Sequence, residues 1–249
     1  MDVRDSRGSL ASAAVIHLPE ASAEFASDVL DEIERMTDAL PNIEVHVSPQ
    51  LARTIDSAPD GADEFVCLMA VVETLVGRDA KDPSPTLLAQ LVFFTVLPGA
   101  TEALVLQVAF GYKRGEQHAR KIARVRTVAR RRRITVDQYV EELVAEQRVP
   151  RDKLVRLFHG EGAKSPSAGR VARGVSILRT AVGSVPEAFR PPLLCALAWL
   201  QWASGRRAIA ASYLAEATRI DAENLLAYGL GVIFATQMPE WVESAPEVR

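Results

Sequence analysis

Apolar positions recur every three or four residues along most of the chain after residue 20, the period of a helix with one buried face. Ser22 to Leu40 shows it most plainly. Phe25, Val29, Ile33, Met36 and Leu40 share a face, and acids occupy the other. Ser22 can cap this helix, Glu24 and Asp28 suit the positive end of its dipole, and Pro41 stops it. Ala62 to Val76 is apolar around nearly its whole circumference, which predicts a buried helix ending at Gly77. Ser84 precedes a helix with Pro85 at its first position, running to Leu97. Thr101 to Phe110, closed by Gly111, and Gly115 to about Arg132 follow. Thr135 to Glu146 and Arg151 to His159 form a pair around Val149-Pro150, and Gly160 to Gly169 reads as a loop. Four further helices are predicted at about 170–182, 186–204, 206–220 and 224–236.

The first 60 residues carry weaker signals. Ala13–Leu18 and Ile43–Val47 are candidates for short strands, the second because Ile43, Val45 and Val47 alternate with Glu44 and His46. Gln50–Ser57 is a candidate short helix, and Pro59-Asp60-Gly61 a turn. The expected fold is therefore all-α, a multi-helix domain of antiparallel hairpins with room for a short β element in the first 50 residues. An acidic N-terminal region with one amphipathic helix (1–48) precedes a helical domain (49–249).

Composition agrees. Aromatics are 6% while Ala, Val and Leu dominate, a mixture suited to packed helices. At 249 residues the chain can bury enough apolar surface to need no disulfide or metal. Cys67 and Cys195 each lie in an apolar run, which predicts buried thiols and a reducing cytoplasm. The mixed charge of residues 1–7 and the short apolar stretch Leu10–Leu18 predict no secretory signal. Thr86–Gly111 is the most apolar stretch, but Pro98-Gly99 breaks it and it carries Gln90, Glu102 and Gln107. Two buried helices fit it better than a membrane span.

Near the C-terminus the helices match a tetratricopeptide-type hairpin, in which small residues let two helices approach closely. With Gly205 at the turn, Ala198 takes the small position of the first helix. Ala210 and Ala217 take those of the second, with the large apolar Leu214 between them. Asp221-Ala222-Glu223-Asn224 stands where an Asp-Pro turn is usual, and Gln201 where an aromatic is common. No second copy appears at that spacing, although Tyr228 to Ala235 can start one. Trp199, Trp202 and Trp241 complete the expected structural set.

The run Arg190-Pro191-Pro192-Leu193-Leu194-Cys195-Ala196-Leu197-Ala198-Trp199-Leu200 leads through Trp202-Ala203 and Gly205-Arg206 to Ile220-Asp221 and Met238-Pro239-Glu240-Trp241. This resembles the C-terminal half of an uncharacterised actinobacterial family known as a domain of unknown function. Its members carry Leu-Ala-Trp-Leu-x-Trp-Ala-x-Gly-Arg, an Ile-Asp-Pro turn and a Pro-Glu-Trp ending. Leu104–Gly111 is similar to the family's Leu-Leu-Gln-Trp-Ala-Phe-Gly run, with Val108 in place of Trp. The resemblance spans 84–243, is most specific over 170–243, lacks the family's N-terminal α/β half, and implies a fold but no activity.

Charge is segregated along the chain. Residues 1–112 hold 6 Lys/Arg against 18 Asp/Glu, residues 113–133 hold 10 against Glu116 alone, and residues 134–249 hold 13 of each. Lys113, Arg120, Arg124 and Arg131 are spaced to form one stripe along a helix, while Ile122, Val125 and Ala129 face elsewhere and can pack inward. Arg114, Lys121 and Arg132, with the rest of Arg130–Arg133, extend the charge. Three uses are open: pairing with the chain's own acidic Glu20–Glu44 segment, binding phosphates of a nucleic acid, or docking an acidic protein. Residues 135–159 hint at a helix-turn-helix with Arg151, Lys153 and Arg156 on the second helix. No Gly occupies the turn, however, and that helix is short.

No catalytic constellation is legible. His17, His46, His118 and His159 have no partner at metal-ligand spacing, and Gly229-x-Gly231 lacks the third glycine of a dinucleotide loop. No Gly-x-Ser-x-Gly elbow occurs. Glu142 and Glu146 share a face and are expected to pair with Arg148 or Arg151. The expected function is a non-enzymatic interaction protein without cofactor, metal, small-molecule substrate or membrane. It would act on a protein partner or a second copy, with nucleic-acid binding through residues 113–133 as the alternative.

Overall fold

A computed structural model describes residues 17–38, 63–80, 82–97, 99–146, 152–162 and 164–243. In chain order the helices are α1 (Ala23–Asp38), α2 (Asp63–Val76), α3 (Pro85–Thr95), α4 (Ala100–Phe110), α5 (Tyr112–Arg132), α6 (Val136–Ala145) and α7 (Lys153–Phe158). Then come α8 (Ala168–Gly183), a 3-10 turn at Glu187–Phe189, α9 (Arg190–Ala203), α10 (Arg207–Ile220), α11 (Leu225–Thr236) and the single turn α12 (Glu240–Glu243). The protein is all-α, with no strand among the described residues. Of the two candidate strands, His17 and Leu18 have no regular structure; the remainder, with the 50–57 helix, lies outside the described residues.

Among the described residues, five helices begin where a side chain satisfies the first unpaired N–H groups, α11 among them through Asn224 Oδ1 on Ala227 N. Ser22 Oγ accepts from Phe25 N at 3.2 Å, and Ser84 Oγ from Leu87 N at 3.3 Å. Thr135 and Gln138 bond reciprocally to each other's N–H at 2.9 and 3.1 Å, a capping box. Asp152 Oδ1 takes the N–H groups of Leu154 and Val155, so α7 starts later than the expected Arg151. Gly111, at φ +93°, ends α4 and starts α5 within one residue, a backbone state that L side chains rarely adopt. For that reason α5 begins three residues before the expected Gly115.

Two helices form the middle. α4 touches α2, α3, α5, α8 and α9, while α9 touches α3, α4, α8, α10 and α11. Every residue of α4 except Glu102 is buried, as is all of Leu193–Ala203 in α9. α1 lies on α3, and its Val29 and Ile33 join the common core. α3 and α4 thus bury most of their length in the core, and among the described residues no helix is long and apolar enough to cross a membrane.

Ring contacts and indole hydrogen bonds tie distant segments to α9. Trp199 stacks on Phe158 (5.6 Å between centroids) and donates to its carbonyl at 2.8 Å. Trp202 stacks on Phe234 and donates to Gln237 O, and Trp241 donates to Ala203 O at 2.8 Å while meeting Phe110 edge-on. Each buried indole N–H therefore has a partner, which removes the cost of burying it unpaired.

Between α2, α4 and α8 sits a polar knot. Arg170 binds both carboxylate oxygens of Glu73 (3.0 and 2.9 Å) and donates to the carbonyls of Gln107 and Val108. Gln107 Nε2 donates to Met69 O at 2.8 Å and to Glu73 Oε2 at 3.2 Å. The Arg170 guanidinium holds the Glu73 carboxyl below its ordinary range, outweighing the opposing effect of burial.

Candidate functional site

α5 has two unlike sides. Gly115, His118, Ala119, Ala123, Val125 and Ala129 are buried, and Ile122 is half-buried against Gly99. Small residues dominate because the neighbours come close: a Cβ on Gly115 would stand 2.5 Å from the Cβ of Gln107 and 2.8 Å from Met69 Sδ. The opposite side exposes Lys113, Arg120, Arg124 and Arg131, the expected stripe. At 1.5 Å per residue it runs for about 27 Å. Arg130, Arg132 and Arg133 widen it at the C-terminal end, where Arg133 caps the helix at φ +56°.

Local acids occupy part of this charge. Arg120 pairs with Glu116 one turn back (2.8 Å) and Lys121 with Asp152 (2.8 Å). Arg132 forks onto Glu142 and lies 5.6 Å over the Tyr139 ring, tying α6 to α5. Glu142 thus serves α5; the expected partners Arg148 and Arg151 lie outside the described residues. Arg114 donates to Gln117 at 2.8 Å and is half-buried. Lys113, Arg124 and Arg131 form no ion pair among the described residues, and no ion pair there joins α5 to α1. The Lys121 ammonium, through its hydrogen bond, helps hold the Asp152 carboxyl below its ordinary range against the pull of burial.

His118, without a partner at metal-ligand spacing in the sequence, also lacks one among the described residues of the fold. It is 6% exposed, on the buried side of α5, and neither ring nitrogen has a hydrogen-bond partner. Burial, reinforced by the nearby Lys121 charge, pulls its pKa from 6.5 to about 4. A lone histidine in a basic helix gives no warning of this, because its side is set only by the neighbours of the turns above and below.

The structural set lies apart from α5. Trp199, Trp202, Ala210 and Ala217 are fully buried, and Trp241 and Leu214 nearly so. Gly205, at φ +77°, makes the turn between α9 and α10. Asp221 follows α10, and its carboxylate accepts from Glu223 N and Asn224 Nδ2. Cys67 and Cys195 are buried and joined in no disulfide; burial, with the Glu102 and Asp221 charges, pushes Cys195 up to about 12. The helix-turn-helix hint loses its reader: α7 has six residues, Arg156 pairs with Glu161 (2.6 Å), and Phe158 docks on the core. Arg151 lies outside the described residues. Among those residues no three His, Cys, Asp or Glu side chains gather closely enough to hold a metal ion.

The fold and this surface define an all-helical protein with one cationic helix face. No family model, no curated protein and no solved structure matches the chain.

Proposed function

We propose that this is a non-enzymatic, cytoplasmic interaction protein whose α5 face docks an acidic protein partner. The observation that carries the reading is the exposed line of Lys113, Arg120, Arg124 and Arg131, left without support from the acidic α1. A cationic line of this length raises the encounter rate with an acidic surface and orients it. The tetratricopeptide-like arrangement of α9 and α10, with Ala198, Ala210 and Ala217 at its close contacts, belongs to the same proposal as scaffold. So does the kinship of residues 84–243 with the actinobacterial family.

A second reading, nucleic-acid binding, is favoured by the Arg130–Arg133 run and the prevalence of guanidinium groups, which suit phosphate. Replacing Lys113, Arg120, Arg124 and Arg131 together by Gln separates the two. For a protein partner, the change abolishes co-purification from extract while duplex DNA and RNA give no gel shift at low salt with either protein. For nucleic acid, the parent chain shifts, its log-log salt slope is about −4 to −5 for five phosphate contacts, and the variant flattens it. Absence of both behaviours defeats the assignment of α5.

A further inference from the structure

α11 is built for two-sided burial, yet it is covered on one side. Its twelve residues contain no charged side chain. Ala227, Leu230, Ile233 and Phe234 are buried against α9 and α10. The other side carries Leu225 at 76% exposure, Tyr228 at 76% and Val232 at 49%, with Gly229 and Thr236 in the same line. A helix apolar all round is normally buried, and the last helix of a helical stack normally turns a polar side to water. Here the outermost stacked helix turns an apolar one.

We infer that this face binds a second copy of the chain, α11 against α11 in antiparallel fashion about a twofold axis. Three observations favour a copy over an unrelated partner. The line is uncharged along its length, so it complements itself. Its centre is open: a Cβ at Gly229 would meet nothing within 4 Å, which leaves room for a second helix to approach closely. Its ends are oppositely charged. Asp221 and Glu223 precede α11, while Arg207, bonded to Ala235 O at 3.0 Å, stands beside its far end. Glu240, just beyond that end, is engaged with Gly162 N. Antiparallel pairing sets the acidic end of each copy on the basic end of the other and aligns the two helix dipoles favourably.

The exposed line spans about 18 Å of helix and offers only a few hundred Å² per copy. A standard stable interface needs about 800 Å² from each partner, so the dimer is weak and exchanging, with a Kd in the micromolar range. Sedimentation velocity of the full chain at rising concentration tests it: the weight-average mass climbs from 27.1 kDa toward twice that value. Tyr228→Glu with Val232→Glu restores the monomer at every concentration. Gly229→Phe, placed where an added Cβ meets nothing within one copy, also loses the dimer, whereas Gly229→Ala keeps it. A mass that stays at 27.1 kDa, or a dimer that survives Gly229→Phe with an unchanged unfolding midpoint, overturns the proposal. Because the four α5 substitutions lie on a different helix, they leave this dimer intact, so failure of the α5 assignment and failure of this one read separately.

Discussion

α9 and α5 both start without a side-chain cap, and they are held in opposite ways. α9 is gripped all round by large side chains, with two of its own tryptophans and Trp241 of α12 bonded to carbonyls of remote segments. α5 is gripped on one side only, through glycine, alanines, a valine and an unpartnered imidazole, with ion pairs at its rim. Small residues permit close contact but contribute little buried area, whereas an indole contributes 150–250 Å² and a donor. One helix therefore organises the core, and the other rests on it with its outer face free for work.

The sharpest test of that contrast is Trp199→Ala. It removes the stack on Phe158 and the bond to its carbonyl, and is expected to cost about 3–5 kcal/mol in denaturant unfolding. No comparable loss is available at any single buried position of α5 save His118.

Acid comes next. Above about pH 6.5 the imidazole of His118 is neutral in both folded and unfolded chains. Between 6.5 and about 4 the unfolded chain gains a proton that the folded one does not, so stability falls with pH across that window. The full effect is about 3 kcal/mol, and His118→Leu flattens the slope. Hydrogen exchange should locate the acid loosening in α5 and spare α9; uniform loosening would break the comparison.

Ala210→Leu forces extra volume between α9 and α10, where Ala210 has no exposure, and is expected to cost about 1–3 kcal/mol. An unchanged midpoint would show that these helices do not meet there. Smallest of all, the fourfold Gln change on α5 should leave stability within about 0.5 kcal/mol, since exposed charges contribute little.

The helical order was legible because apolar period, Ser22, Ser84 and the glycines at 77, 111 and 205 all act within a few residues. α1 to α11 and the exposure of the cationic stripe follow from such local rules. What stayed hidden depends on distance along the chain. Glu73 meets Arg170 across 97 positions and Gln107 across 34, and no period announces that polar knot. Glu142 meets Arg132 of the preceding helix, ten positions back, because α6 folds back on α5. The bare side of α11 was hidden for a different reason. A run apolar all round says that burial is wanted, and only the neighbours say how much is supplied.

The Trp241 contacts carry a consequence for how the protein is made. Phe110 and Ala203, which this indole joins, leave the ribosome well before it does. Until that residue emerges, the open end of α9 has no lid, and the nascent chain carries an exposed aromatic seam of the kind that recruits chaperones. Translation that stalls between 236 and 241 would thus leave a product with every helix but the last yet with its hydrophobic seam open, making it a substrate for quality control.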